Sequence, residues 1–228
     1  MMLQLTDKIK IYFYLIIFIT LLSLHNINLI KSFDDFFKIS KIEIKGNIDK
    51  KLSNEILLSL KRYYDFNIFW ITSDQIKAEL DSFDTISEYN VKKQYPSIIQ
   101  IDLKETNILA YFFDNNQKFF IGENGKKIKH TRKNYNTLPL IVGEVDIKRF
   151  LSLKNILIDN NFELKDFDTI YSFKSKRWDL SYKKNLKVKL PLEDYDYSIK
   201  IFKQIIENKD TSGIKIIDLR IKNKIIYS

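Results

Sequence analysis

Alternating apolar and polar positions predict most of the strands of this chain. The clearest case is the segment IDLRIKNKIIYS, residues 217–228. Its regularly spaced apolar positions are Ile217, Leu219, Ile221, Ile225 and Tyr227. A period of two is typical of a strand with one buried face. Only Asn223 and Ile226 interrupt it, so we predict one strand over the whole segment.

Residues 39–107 predict a compact unit in the order strand, helix, helix, strand, strand. We expect the first helix to begin at Ser53, a good N-cap. The second carries a capping box formed by Thr72 and Gln75. The last two strands flank a turn at Pro96, where proline removes no ladder hydrogen bond. About seventy residues are near the lower size limit for a single core.

Residues 108–228 predict a second, mixed unit. Short alternating segments are separated by turn signals, of which Asn124-Gly125 is the strongest hairpin signal. Two amphipathic helices interrupt the strands: one follows Asp146 as its cap, and the other is YDYSIKIFKQIIEN. We therefore predict an α+β fold in which this unit has a mostly antiparallel sheet.

Residues 11–30 carry no formal charge. As a helix they would extend about 30 Å, the thickness of the bilayer hydrocarbon. We predict a transmembrane helix here. Because Lys8 and Lys10 precede the span, the positive-inside rule places residues 1–10 in the cytoplasm and residues 31–228 outside.

A cleaved signal peptide is the alternative for this segment. Signal peptides end at a small-residue cleavage site. The first alanine of the chain is Ala78, and no such site follows the apolar run. An uncleaved anchor is therefore the favoured interpretation.

The composition argues against an active site. Cysteine is absent, and the two histidines, His25 and His130, have no neighbouring nucleophile or metal-ligand spacing. The adjacent pair Asp34-Asp35 is better explained as a solvated segment than as paired catalytic carboxylates. The net charge of +9 comes from lysines that alternate with apolar residues, as on a solvated face, so it does not indicate nucleic-acid binding. We predict no catalytic, metal or cofactor-binding residue.

Several motifs, taken in order, resemble the FtsQ/DivIB family of cell-division proteins. An anchor is followed by KIEIKGN, LSNEILLSL, NIFWI and VKKQYPSIIQIDLKETNILAYF, which resemble its POTRA domain. The matching positions are Tyr95, Pro96, Ile101, Glu105 and Ala110. The family's usual Arg-x-Pro is replaced here by Thr106, Asn107 and Ile108. LPLIVG, RWDL and IDLR resemble the family's C-terminal β domain.

The resemblance implies a non-enzymatic, single-pass scaffold of the divisome. Such a protein lies in the bacterial inner membrane at the septum, with its bulk in the periplasm. It links early and late division proteins and binds FtsB and FtsL to control septal peptidoglycan synthesis. The implied order is a tail 1–10, a span 11–30, a POTRA domain 39–107 and a β domain 108–228. A POTRA-containing envelope assembly or secretion protein, and a cell-wall hydrolase, remain alternatives.

The resemblance also implies a binding site in the last strand, which binds FtsB by strand addition in the family. The expected contact residues are Ile221, Lys222, Asn223, Lys224, Ile225, Ile226, Tyr227 and Ser228. The competing interpretation is a protected edge, because lysines on edge strands deter unwanted pairing. A lysine row can equally select an acidic partner segment.

Overall fold

The computed structural model describes residues 3–23, 34–129, 137–183, 186–208 and 211–228. Both histidines singled out from the sequence lie outside these ranges.

The chain forms two compact units. One is Met1–Leu80 with Asn90–Asp102, and the other is Asp81–Tyr89 with Leu103–Ser228. The division falls inside two strands of the first sheet, and the boundary at 107/108 remains a prediction.

Helix α1, Leu3–Ser23, overlaps the predicted span 11–30. The last seven residues of that span lie outside the described ranges. No helix in the described part of the chain is both long and apolar enough to cross a membrane, so the predicted span is not confirmed.

The first sheet and its two helices follow the predicted order. The elements are β1 (Lys41–Lys45), α2 (Lys50–Ser59), a 3₁₀ turn (Leu60–Tyr63), α3 (Ser73–Asp81), β2 (Ile86–Gln94) and β3 (Ile98–Glu105). The sheet order is β1-β3-β2, and β1 runs parallel to β3. Apolar residues from both helices and from the strands are buried, among them Leu52, Ile56, Ile76, Leu80, Ile99 and Ile101. The strand–helix–helix–strand–strand order is therefore confirmed.

The two helix starts differ in how well the sequence predicted them. The capping box of α3 is confirmed, since Thr72 N–H donates to Gln75 Oε1 at 2.9 Å and Gln75 N–H to Thr72 Oγ1 at 3.3 Å. The predicted cap of α2 at Ser53 is wrong. Asp49 caps this helix and accepts from the amide of Lys51 at 2.8 Å. The helix begins a turn earlier because Asp49 is an equally good cap.

A nine-stranded sheet dominates the second unit. Its strands are β4 (Ile108–Asp114), β5 (Gln117–Gly122), β6 (Lys127–Ile128), β7 (Leu140–Gly143), β8 (Phe167–Ser172), β9 (Trp178–Tyr182), β10 (Leu186–Lys189), β11 (Ile216–Asp218) and β12 (Ile226–Tyr227). Their order is β12-β11-β10-β9-β8-β7-β4-β5-β6. The pairs β4–β7, β7–β8 and β10–β11 are parallel and the others are antiparallel. This agrees with the expected mixed, mostly antiparallel sheet.

Two helices, α4 (Ile147–Asp159) and α5 (Tyr195–Asn208), pack on one face of this sheet. Asp146 caps α4 as predicted, accepting from the amide of Arg149 at 3.1 Å. Under the helices, one row of cross-strand neighbours runs through Ile141, Ile170, Leu180, Val188, Ile217 and Tyr227. The core row thus ends on β12, at the edge of the sheet.

The predicted single strand over residues 217–228 is wrong. The chain pairs as β11, leaves the sheet after Asp218, and returns as the two-residue strand β12 antiparallel to β11. Of the expected contact residues, only Ile226 and Tyr227 belong to a strand. The others lie in the connecting segment or, for Ser228, directly after β12.

Candidate functional site

The segment from Ile216 to Ser228 forms a hairpin, called here the terminal hairpin. Ser228 N–H donates to the carbonyl of Ile216 at 3.0 Å, and Ile216 N–H donates to the carbonyl of Ser228 at 2.8 Å. Tyr227 lies opposite Ile217, and Ile226 opposite Asp218. These bonds anchor the last residues of the chain to the sheet.

A tight turn explains why the strand breaks. Lys224 N–H donates to the carbonyl of Ile221 at 3.1 Å, and Asn223 has a positive φ of 60°. Asparagine tolerates this conformation better than most residues with a side chain. Before the turn, Leu219 is buried and its amide donates to the carbonyl of Lys189 at 2.9 Å. The interruption of alternation at Asn223 was the signal for this turn.

Strand β12 is the outermost strand at this end of the sheet. In an antiparallel pair, residues that exchange hydrogen bonds alternate with residues whose main-chain groups point away. Ser228 exchanges bonds with Ile216, so Ile226 also faces β11. Continuing this alternation to Ile225, the residue before β12, predicts main-chain groups directed away from β11, toward the outer edge.

The side chains of β12 extend both faces of the sheet. Tyr227 prolongs the core row beside Ile217, whereas Ile226 lies on the opposite face beside Asp218. Next to Asp218 on that face are Lys189 and then Asp179. Ile226 and Tyr227 are 40% and 38% exposed, so apolar surface is available on both sides of the edge.

A groove of about 800 Å³ lies between the terminal hairpin and the start of α5. Its apolar lining includes Tyr197, Ile221 and Ile225, all of them exposed. Carboxylates on the α5 side face lysines on the hairpin side, and Lys222 Nζ lies 4.0 Å from Asp194 Oδ2. Both of these side chains are largely exposed, so the pair is weak. Sequence reasoning missed the α5 side of the groove, because only the fold brings it to the hairpin.

An ion pair between Asp218 and Arg220 lies at the end of β11. Arg220 Nε donates to both carboxylate oxygens of Asp218, at 2.8 and 3.0 Å, and the Arg220 amide donates to Asp218 Oδ1 at 3.1 Å. These hydrogen bonds from Arg220 hold the pKa of the Asp218 carboxyl below its usual value. A carboxyl with a lowered folded-state pKa adds stability above its unfolded pKa of about 3.9, and this contribution is lost as pH falls through the folded pKa.

The Asp218→Asn substitution tests this pair. The new side chain keeps an oxygen for the Arg220 amide but loses the charge. We expect a loss of about 1 kcal/mol in the free energy of unfolding at neutral pH, measured by urea denaturation. The difference from the wild type should narrow as pH falls from about 3.9, the unfolded pKa, through the lower folded pKa of the Asp218 carboxyl. A difference that stays constant with pH would contradict the assigned role of the charge.

Among the described residues, no group of three or more His, Cys, Asp or Glu side chains could hold a metal ion. The most buried of the described carboxylates in the second unit, Asp179, lies 3.3 Å from Arg177 Nε and 3.8 Å from Lys187 Nζ. The buried carboxylate of Asp179 is thus paired with two nearby cationic side chains. The chemistry available at the terminal hairpin is main-chain pairing, apolar contact and charge complementarity.

Comparison with known proteins finds two successive family matches along the chain. The family model described as "POTRA domain, FtsQ-type" matches residues 37–106, and that described as "Cell division protein FtsQ/DivIB, C-terminal" matches residues 110–220. The chain is 26% identical over 204 residues to cell division protein FtsQ of Rickettsia typhi, covering 82% of this chain and 71% of that protein. FtsQ of Rickettsia bellii is 28% identical over 192 residues, with the same coverage of 82% and 71%.

Two further matches are to DivIB. Cell division protein DivIB of Geobacillus kaustophilus is 30% identical over 111 residues, covering 47% of this chain and 42% of that protein. A solved structure of the major extracytoplasmic domain of DivIB from Geobacillus stearothermophilus, in its trans isomer, is 17% identical. It covers 47% of this chain and 99% of that chain, with a TM-score of 0.32.

Proposed function

This chain belongs to the FtsQ/DivIB family of cell division proteins, and from that premise we propose that it is a non-enzymatic scaffold of the divisome. The observation that carries the proposal is the match of two successive family models, over residues 37–106 and 110–220. The scaffold links early and late division proteins and binds FtsB and FtsL, and through them it controls septal peptidoglycan synthesis. It acts by binding other division proteins and positioning them.

The proposed arrangement is that of a single-pass inner-membrane protein at the septum. Residues 11–30 form the anchor and residues 1–10 lie in the cytoplasm. The POTRA domain, 39–107, and the β domain, 108–228, lie in the periplasm. The support is the absence of formal charge in residues 11–30 and the lysines that precede them.

We place the contact with FtsB at the outer edge of β12. The support is the position of β12 at the end of the sheet order and the exposed apolar side chains on both of its faces. In strand addition, main-chain hydrogen bonds supply affinity and alternate side chains supply selectivity. Lys222 and Lys224 add a preference for an acidic partner segment. The adjoining groove offers apolar surface for the part of the partner beyond the added strand.

The scaffold role is tested by co-purification of the full-length protein from detergent-solubilised membranes, with mass spectrometry of the proteins recovered. We expect division proteins, FtsB and FtsL among them, at near-stoichiometric levels. The control is the same preparation from cells that lack the tagged chain. Recovery of outer-membrane assembly or secretion components in their place would overturn the division role in favour of the envelope-assembly alternative.

The membrane arrangement predicts where a reporter is active. A reporter that functions only in the cytoplasm, fused after Ser228, should give no signal, because the domains it follows are outside the cytoplasm. The same reporter fused before Met1 should be active and serves as the control. A strong signal from the fusion after Ser228 would overturn the proposed topology.

A further inference from the structure

The first unit carries a set of aromatic side chains at its surface, called here the aromatic patch: Phe36, Phe37, Phe69, Trp70 and Tyr95. Four of them are exposed and Phe37 is half-buried; Trp70 adjoins the ring chain as the sequence neighbour of Phe69. Ring centroids are 5.2 Å apart for Phe36–Phe37, 5.0 Å for Phe37–Phe69 and 5.0 Å for the stacked pair Phe69–Tyr95. Trp70 is 80% exposed. Contiguous exposed apolar surface of this kind marks an interaction site more often than scattered single residues do.

The backbone forces these rings outward. A turn over residues 67–70 is closed by Trp70 N–H donating to the Asn67 carbonyl at 3.0 Å. The flanking residues Ile68 and Ile71 are both buried in the core. With the isoleucines pointing inward, the intervening Phe69 and Trp70 must project from the surface. The patch is therefore a product of the fold and not of a loosely held loop.

The segment that carries Phe36 and Phe37 is attached to the same turn. Ile68 N–H donates to the Phe37 carbonyl at 2.9 Å, and Ile39 N–H donates to the Phe66 carbonyl at 2.9 Å. Asn67 Nδ2 also donates to Asp34 Oδ1 at 2.7 Å. These bonds tie the start of the first unit to the turn, so the rings present one common surface.

We propose that the aromatic patch lies in the headgroup region of the lipid bilayer. This inference rests on the proposed anchor at residues 11–30. Phe36 follows the end of that segment by six residues, which reach at most about 20 Å when fully extended. Phe36 and the rings that contact it are thereby confined to the neighbourhood of the membrane surface. Trp and Tyr are the residues enriched at this interface, because they combine an apolar body with a polar group.

The charges beside the patch identify the kind of contact. Asp35 pairs with Lys38 at 2.5 Å, and Asp34 is also present in the same segment. With two carboxylates and one lysine, the segment 34–38 has no basic excess that would attract anionic lipids. Aromatic and apolar area drives the insertion, and zwitterionic phosphatidylcholine, which has no net charge, should suffice as the lipid.

The chain carries two tryptophans, which supply both a probe and an internal reference. Trp70 lies in the patch, whereas Trp178 is buried in the second unit with 1% exposure. The full-length protein is reconstituted into phosphatidylcholine vesicles with either plain or brominated acyl chains, since bromine quenches tryptophan emission only at short range. We expect the wild type to lose emission in brominated vesicles. The Trp70→Phe variant, which keeps an aromatic ring, should show no such loss.

The outcomes separate this inference from the anchor on which it rests. Vesicle flotation after a high-salt wash reports the anchor, and quenching reports the patch. Protein that floats but shows equal emission in both vesicle types would overturn the lipid contact and leave the anchor intact, with a protein partner as the occupant of the patch. Protein that fails to float would overturn both. Quenching that appears only when phosphatidylglycerol is added would contradict insertion driven by apolar area.

Discussion

Replacing Gly143 by Ala should destabilise the second unit by about 3 kcal/mol or more, from backbone strain and overpacking together. Gly143 has a φ of +107° at the end of β7, where a side chain is strained whatever the space around it. A Cβ here would also overlap the carbonyl oxygen of Ser172 on the adjacent strand β8. That oxygen belongs to the backbone and accepts from the amide of Glu144, so it cannot move aside cheaply. The loss is a large part of a typical domain's stability.

The measurement is urea unfolding followed by the emission of the buried Trp178, in a Trp70→Phe background. Gly213→Ala is the matched control. Gly213 also has a positive φ, of +89°, but its added Cβ would meet no atom within 4 Å. The control should therefore lose only about 1 kcal/mol, the cost of the conformation alone. Equal losses in the two variants would show that the approach of Ser172 contributes nothing.

Local sequence signals predicted the starts of those helices whose N-cap depends only on residues close in sequence. The capping box of Thr72 and Gln75 and the cap at Asp146 were predicted correctly, because a cap is a contact over about three residues. The error at Ser53 has the same origin. Two good caps, Asp49 and Ser53, lie four residues apart, and the local pattern does not choose between them.

Alternation alone could not locate the end of β11. Periodicity describes the direction of side chains, and it does not distinguish one long strand from two short ones that return antiparallel. Asn223, which interrupts the alternation, has a positive φ of 60° and lies in the turn between the two strands. The groove beside α5 was beyond sequence reasoning, since Tyr197 and Ile221 are far apart in the chain and meet only through the order of the sheet.

The aromatic patch was missed for a related reason. Aromatic residues at strand spacing are expected in a core or at an interface, and the largest of those in the second unit, such as Phe150, Phe167 and Trp178, are indeed buried. Trp70 departs from this default because it lies in a turn between two isoleucines that occupy the core. The outward direction of its ring follows from that packing and not from residue type.

The proposal of strand addition at β12 predicts that Ile225→Pro weakens binding to FtsB at least about tenfold, a loss of roughly 1.4 kcal/mol. Proline removes one main-chain donor and fixes φ. The amide of Ile225 is predicted to point away from β11, so its loss should spare the hydrogen bonds of the terminal hairpin. Ile226→Pro is not equivalent, because its amide faces β11 and its removal would damage the hairpin itself. Affinity is measured with the full-length protein in detergent.

The control for side-chain effects is Ile225→Val, which keeps the amide and a β-branched side chain. It should bind FtsB within about twofold of the wild type, because most interface positions contribute little on conservative change. Circular dichroism, together with slow hydrogen exchange at the amides of Ile216 and Ser228, should show that the hairpin persists in Ile225→Pro. With those amides protected, wild-type affinity in Ile225→Pro would rule out main-chain pairing at this edge. Binding would then have to run through the apolar groove beside α5, where Ile221→Asp should abolish it and Ile225→Pro should not.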